Sequence, residues 1–254
     1  MMVKSSSNSN NVRCPVCEGG QASAFGEKDG YGFLKCDGCG YIFCHPRPSQ
    51  QQLAEFYAMG DAGAGITATS FPKVSSRKRR GFFNALKLLP HYFARRALDV
   101  GCGGGFVVGA MKMLGAREAH GIDINPNATN YAKEHYPNCY FHTGSFDEVK
   151  EIASGFDFIY SSEVIEHVED VEQYVGFLKG ALKPGGVVFL TTPDIESDQV
   201  PEDKISWNTF SPPQHIQFFS EKTLTMLMRR FGFSPIRRAS DRGGAGIKML
   251  FRLD

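Results

Sequence analysis

The sequence predicts an α/β protein, a doubly wound sheet with helices on both faces, preceded by a small metal-stapled unit. Three observations carry this. The apolar run 97–100 breaks into Gly101-Cys102-Gly103-Gly104-Gly105 and is followed by a helical pattern and a second apolar run ending near Asp123. Further apolar runs alternate with amphipathic helical patterns to the end of the chain, the signature of βα units around a parallel sheet. Ahead of them, Cys14-Pro15-Val16-Cys17 and Cys36-Asp37-Gly38-Cys39 form two Cys-x2-Cys pairs eighteen residues apart, within zinc-ribbon spacing.

At 254 residues the chain is long enough for one α/β core and a small accessory unit. Lys and Arg total 28 against 27 Asp and Glu, a balance that gives no reason to expect a polyanionic partner such as nucleic acid. No run approaches the roughly 18 apolar residues of a membrane span. Residues 1–12 are polar and lack the apolar stretch of a secretory signal, so they read as a disordered leader and the protein as cytoplasmic. Seven cysteines, an odd number, suit a metal site in a reducing compartment better than a disulfide framework.

Residues 13–48 form the predicted zinc ribbon. Cys14, Cys17, Cys36 and Cys39 close a four-sulfur shell, which leaves no position for water and makes the zinc structural. Residues 49–74 read as a linker: Ser49 caps a helix over 50–57, and 59–69 form a Gly/Ala/Thr-rich loop. Arg77-Lys78-Arg79-Arg80 opens a helix whose apolar positions Phe82, Phe83, Leu86 and Leu89 leave the charges mainly solvated. Strand 97–100, helix 106–114 with Gly115 as its stop, and strand 119–124 make a βαβ unit. Asn125-Pro126 caps the next helix.

A third strand covers 140–142 and a fourth 156–160. Asp170 caps a helix with Val171, Tyr174, Val175, Leu178 and Leu182 on its core face. Lys183-Pro184-Gly185-Gly186 ends that helix and opens a fifth strand. The irregular stretch from 195 to 219, with Trp207, Pro212, Pro213 and His215, is expected to cover a substrate. Leu224, Leu227, Met228 and Phe231 mark a helix stopped by Gly232, and the runs 235–239 and 247–253 close the chain as an antiparallel pair.

The glycine turn admits a ligand close to the backbone, and Asp123, about 20 residues on, can bond a ribose hydroxyl, so the turn is built for a nucleoside-containing cofactor. Its glycines read Gly-x-Gly-x-Gly, with the third one residue too early for the dinucleotide pattern. That argues against NAD and FAD.

Taken with Asp99, Asp123, Phe156-Asp157-Phe158-Ile159-Tyr160 and Leu182-Lys183-Pro184-Gly185-Gly186-Val187-Val188-Phe189-Leu190, the pattern resembles the class I S-adenosylmethionine-dependent methyltransferases over residues 75–254. The resemblance implies a Rossmann-like, seven-stranded mixed sheet and S-adenosylmethionine as cofactor. It places Asp99, Gly101, Gly103, Gly105, Asp123, Ile124, Ser145, Phe146 and Ser161 around that cofactor. The turn glycines lie under the methionine moiety, Asp123 on the ribose, and Ser145 or Asp147 with Phe146 at the adenine. It also makes Tyr57 a lid residue.

Ser161-Ser162-Glu163-Val164-Ile165-Glu166-His167 follows strand four, where the methyl group meets its acceptor in this family. An acceptor that must be deprotonated needs a base, and His167 is the first candidate, with Glu163 beside it. Glu163-x-x-Glu166-His167 resembles the motif of ubiquinone-pathway O-methyltransferases, which implies a divalent cation such as Mg2+. Ser211-Pro212-Pro213-Gln214-His215-Ile216-Gln217-Phe218-Phe219-Ser220 resembles a stretch of glycan, lipid and secondary-metabolite methyltransferases and makes His215 the second candidate base. The Asn/Asp-Pro-Pro-Tyr type of sequence used by amino-methylating relatives is missing. The expected reaction is methyl transfer to a small molecule, a hydroxyl on a sugar, quinone-like or natural-product intermediate. An RNA methyltransferase gripping phosphates with the ribbon and residues 77–80, and a non-catalytic cofactor-binding scaffold, are the competing readings. Nothing in the sequence fixes an oligomeric state.

Overall fold

The structure, a computed structural model, describes residues 12–48, 70–151, 153–238 and 245–254. The leader up to residue 11, the expected helix at 50–57 with Tyr57, the loop 59–69 and Ala239 lie outside the described residues.

Seven strands form the main sheet: β4 (Arg96–Val100), β5 (Glu118–Asp123), β6 (Tyr140–Thr143), β7 (Phe156–Ser162), β8 (Leu182–Pro193), β10 (Phe233–Arg238) and β11 (Gly246–Leu253). Their order is β10-β11-β8-β7-β4-β5-β6. The β8-β7-β4-β5-β6 stretch is parallel, and β11 and β10 add antiparallel. This is the mixed seven-stranded sheet the sequence implies. The central strands are apolar runs because helices cover both faces: Leu98, Phe158, Ile159, Val188 and Leu190 are all buried.

Among the described residues six helices, α1 (Val74–Tyr92), α2 (Phe106–Met113), α3 (Pro126–His135), α4 (Phe146–Val149), α5 (Val171–Ala181) and α6 (Glu221–Arg230), alternate with the strands. Two of their caps are those read from sequence: Asn125 accepts from Ala128 N at 3.1 Å, and Asp170 from Glu172 N at 2.8 Å.

Helix α1 departs from expectation. Its core face is Gly81, Ala85, Leu88 and Tyr92, while Phe83 and Leu86 stand 53% and 43% exposed. A Cβ on Gly81 would come within 3.0 Å of Phe106 O. The helix therefore seats its small residues against the start of α2, and that close approach turns the bulky apolar positions outward.

The N-terminal unit is a second sheet, β1 (Ala22–Lys28), β2 (Tyr31–Cys36) and β3 (Ile42–Cys44), and its fourth strand is β9 (Gln217–Phe218) from the far end of the chain. Residues 195–216 consequently do not form a free lid. Ile195, Phe210, Ile216 and Phe218 are buried with Phe33, Ile42 and Cys44 of the ribbon, and Trp207 packs against them. The Phe210 ring lies 3.7 Å from Phe218 and 5.2 Å from Phe33 between centroids. The aromatics expected over a substrate instead form a core against the four-stranded N-terminal sheet.

Gln217 is 1% exposed and fastens this joint. Its Oε1 accepts from Tyr41 OH, and its Nε2 donates to Ile165 O at 2.6 Å and Val168 O at 2.7 Å. Around it, Arg230 donates to Pro15 O and pairs with Glu172 at 2.9 Å, and Arg47 donates to Glu169 O. Gln217→Leu strands three buried polar partners and should cost on the order of 3 kcal/mol, read in urea unfolding as a lowered midpoint at unchanged m-value. A loss under about 0.5 kcal/mol would remove Gln217 as the fastener.

Candidate functional site

The carboxyl ends of β4, β5, β6 and β7 meet at one edge of the sheet. There β4 turns sharply through Gly101, Gly103 and Gly105, all at positive φ (75°, 50° and 74°). A Cβ on Gly101 would lie 2.5 Å from Val164 Cγ2, and one on Gly104 2.9 Å from the Phe71 and Phe106 rings. Only glycine allows both the backbone path and the approach.

Two carboxylates flank this turn. Asp123, ending β5, accepts from Gly103 N at 2.7 Å and Asn125 N at 2.9 Å. A carboxylate at this place, the end of the second strand of the βαβ unit, is of the kind that bonds ribose hydroxyls. Asp99 is 3% exposed, and burial, aided by the charge of Asp123, pushes its carboxyl well above the usual range. A cationic ligand between the two carboxylates would relieve that repulsion.

Ile124 is 56% exposed beyond Asp123. Gly144 N bonds Asp123 O at 3.1 Å, which brings Ser145 alongside. Ser145 N and Oγ both donate to Glu148 Oε2 at 2.7 and 2.9 Å, and the Phe146 ring stacks on Phe177 at 5.1 Å. The Ser161 hydroxyl is turned into the core, donating to Val100 O at 3.4 Å and accepting from Tyr174 OH at 2.7 Å. Ser162, its neighbour, faces the ligand edge.

Beside the glycine turn lies a cleft of about 960 Å³. Its floor is Asp99, Tyr160, Ser162, Phe189 and Thr191; one wall is α1 and the other is Ile236, Lys248 and Leu250. Glu163 lines it as well, accepting from Thr191 Oγ1 at 2.7 Å. Glu163 has φ +56°, a left-handed conformation in a residue with a Cβ. Such strain persists only where the surroundings over-determine it, and it clusters at working sites.

His167 and His215 do not line the cleft. They form a separate group with Glu166, their ligating atoms all within 4.8 Å of one another. His167 Nδ1 meets Gln214 O at 2.9 Å and His215 Nδ1 meets Thr209 O at 2.8 Å. As carbonyls accept only, each Nδ1 carries the proton and each Nε2 a lone pair. Burial and the neighbouring His215 push His167 down to about 4, so its ring is neutral at physiological pH. Glu166 is 1% exposed, its Oε1 has no hydrogen-bond partner, and burial followed by the charge of Glu163 raises it to about 8. One carboxylate and two imidazoles suit a borderline metal such as zinc; magnesium takes oxygen donors. Glu163 is held instead by Thr191, so the magnesium set expected from Glu163, Glu166 and His167 finds no support in this geometry.

The four ribbon cysteines converge, with Sγ atoms 3.7 Å apart for Cys14 and Cys39 and 3.5 Å for Cys17 and Cys36. A tetrahedral zinc with Zn–S of about 2.3 Å requires edges of about 3.8 Å, so the cluster fits a structural zinc. A thiol donated by Cys39 pulls Cys14 down to about 5.

Comparison with known proteins decides the family. A family profile described as a methyltransferase domain matches residues 69–237. The chain belongs to that methyltransferase family. S-adenosylmethionine is the cofactor of the family, and the glycine turn with its two carboxylates fits that cationic nucleoside. The chain is 30% identical over 165 residues to the human mitochondrial ubiquinone biosynthesis O-methyltransferase, covering 54% of this chain and 45% of that protein. It is also 30% identical over 155 residues to a tRNA U34 carboxymethyltransferase of Pseudomonas fluorescens, covering 56% and 46%. It thus spans under half the length of these relatives. Among solved structures it resembles an S-adenosylmethionine-dependent methyltransferase from Mesorhizobium loti, with TM-score 0.57 and 19% identity over 66% of this chain and 95% of that one. It also resembles magnesium protoporphyrin IX methyltransferase from Synechocystis, with TM-score 0.56 and 15% identity over 73% and 89%. These structural likenesses show the fold of the methyltransferase domain.

Of the cleft walls, sequence reasoning named only the basic run 77–80, as a phosphate contact, and missed Asn84, Lys87 and Lys248. Arg77, Arg80, Asn84 and Lys87 line it from α1 and Lys248 from β11. The signal was the i, i+3, i+7, i+10 spacing of the first four, one face of a helix. Lys248 had none, as its placement depends on β11 pairing with β8.

Elemental analysis of the purified protein is expected to give zinc at one ion per ribbon. Chelation or Cys36→Ser should lower the melting temperature by roughly 5 °C or more, because the ribbon folds on its metal. Metal-free protein with unchanged melting would refute the zinc assignment.

Proposed function

We propose that this methyltransferase-family chain transfers a methyl group from S-adenosylmethionine to a small-molecule acceptor bound in the 960 Å³ cleft, with an acceptor hydroxyl as the methylated group. The observation that carries the reading is the three-glycine left-handed turn between Asp99 and Asp123, opening directly into that cleft. The turn glycines and Asp99 hold the methionine moiety, Asp123 and Ile124 the ribose, and Ser145, Phe146 and the backbone at Ser161 the rest of the nucleoside. The sulfonium is already activated, so aligning the acceptor in line with it supplies much of the rate.

Glu163 is the carboxylate at the cleft and takes the proton from the acceptor. His167 and His215 act from behind it, by fixing the turn that carries Glu163. Ubiquinone-pathway relatives favour an oxygen acceptor. The tRNA-modifying relatives favour RNA as the second reading, although nothing in the global charge draws a polyanion.

The test is incubation with methyl-labelled S-adenosylmethionine and a cell extract separated into small-molecule, RNA and protein fractions. Label in the small-molecule fraction is expected. Label confined to RNA would establish the second reading, and tight cofactor binding without label in any fraction would mark a cofactor-binding scaffold. Asp123→Ala should weaken S-adenosylhomocysteine binding by more than tenfold in calorimetry while the circular dichroism spectrum stays native. Unchanged affinity would overturn the ribose assignment.

A further inference from the structure

Arg77, Arg80, Asn84, Lys87 and His91 recur along α1 so that they share one face, beside the buried stripe of Gly81, Ala85, Leu88 and Tyr92, and all five line the cleft. Lys248 projects from β11 on the opposite wall. Four cationic side chains thus meet in one cavity, against the two carboxyl groups of Asp99 and Glu163. Among the described residues no carboxylate forms an ion pair with Arg77, Arg80 or Lys87.

The like charges are also close enough to repel. After burial, Arg80 is what lowers Arg77, and Lys87 is what lowers Lys248 across the cleft, with the charge of Glu163 offsetting part of the latter. Asn84 lies between the two cationic pairs and donates from Nδ2 to Tyr160 OH at 3.1 Å, a neutral polar floor beneath them. Binding the methyl donor does not answer this excess. S-adenosylmethionine brings a sulfonium and an ammonium, and its single carboxylate can serve one cation, the one nearest the glycine turn.

We propose that the acceptor carries an anionic group, a phosphate or carboxylate, held between Arg80, Lys87 and Lys248, with Asn84 and Tyr160 orienting the rest of the molecule toward Glu163. The inference rests on the methyl-transfer reading for its reaction but not for its binding site. An anion site of this kind in the cleft orients the acceptor and screens the approach of the positively charged donor. The cations lie in the cleft, a shape that takes a terminal anion on a small molecule; a polynucleotide would need them along an outer face.

The first test is calorimetric titration of inorganic phosphate, and separately acetate, into the protein saturated with S-adenosylhomocysteine. Saturable binding of at least one ion is expected, weakened tenfold or more in the Lys87→Ala/Lys248→Ala double variant, with the affinity for S-adenosylhomocysteine unchanged. Phosphate preferred over acetate identifies a phosphorylated acceptor, and the reverse a carboxylate. No saturable binding of either ion, or equal binding by the double variant, overturns the proposal even if methyl transfer is demonstrated. Conversely, ion binding with these properties stands if no methyl transfer is found, which separates the two failures. In the labelling experiment the methylated small molecule should be retained on an anion exchanger. Retention lost after phosphatase treatment marks a phosphate, and retention kept marks a carboxylate. A neutral or cationic product, or label in RNA alone, counts against the site.

Discussion

The turn from Glu163 to Val168 is held from two sides, and the geometry of the candidate site depends on both. In the main sheet, Thr191 O accepts from Glu163 N at 3.0 Å and Thr192 Oγ1 donates to Glu166 Oε2 at 2.9 Å. The second hold comes from the segment beside the ribbon. Gln217 donates to the carbonyls of Ile165 and Val168, Ile216 N donates to Glu166 O at 3.1 Å, and His167 bonds Gln214 O. The 214–217 segment is in turn fixed by the ribbon, through Cys44 N to Ile216 O at 2.7 Å and Tyr41 to Gln217. A continuous set of hydrogen bonds therefore runs from the strands beside the cysteine cluster to the turn carrying Glu163. The ribbon has no face on the cleft. Its contribution is to hold a loop in one conformation, which four thiolates on a metal can do for a unit too small to have a large core of its own.

Much of the fold was legible because its signals are local. The glycine turn, the Asn125 and Asp170 caps, the Gly115 and Gly232 stops and the Cys-x2-Cys pairs each report backbone demands that the residues themselves meet. What escaped was tertiary. The rotation of α1 was set by the close approach of Gly81 to Phe106, which outweighs the moment of Phe82, Phe83, Leu86 and Leu89. The 195–219 stretch read as a lid since its aromatics had no visible partner; the partners, Phe33 and Ile42, lie more than 150 residues earlier. At the site, Asp99, Asp123 and the glycines were readable from spacing. That Glu163 lines the cleft while His167 and His215 do not was not readable, for it depends on the path of the turn, which is left-handed at Glu163.

That backbone carries a cost that the rest of the structure must meet. A residue with a Cβ in the left-handed region costs about 1–2 kcal/mol. Glu166 adds to it: a buried carboxyl raised to about 8 has lost its favourable solvation. The penalty is absent below the ordinary carboxylate range, grows as pH rises through it and levels off above about 8. Neither feature contributes to packing. Both sit on a segment tied down by Gln217, Ile216 and Gln214 on one side and by Thr191 and Thr192 of β8 on the other, so the bonds from the ribbon-supported strand and from the main sheet offset the strain together. The physical logic places an accessory four-cysteine unit in the service of a turn beyond the strand it supports: a conformation unfavourable by itself is made the only one available, and the carboxylate at its head is presented to the cleft.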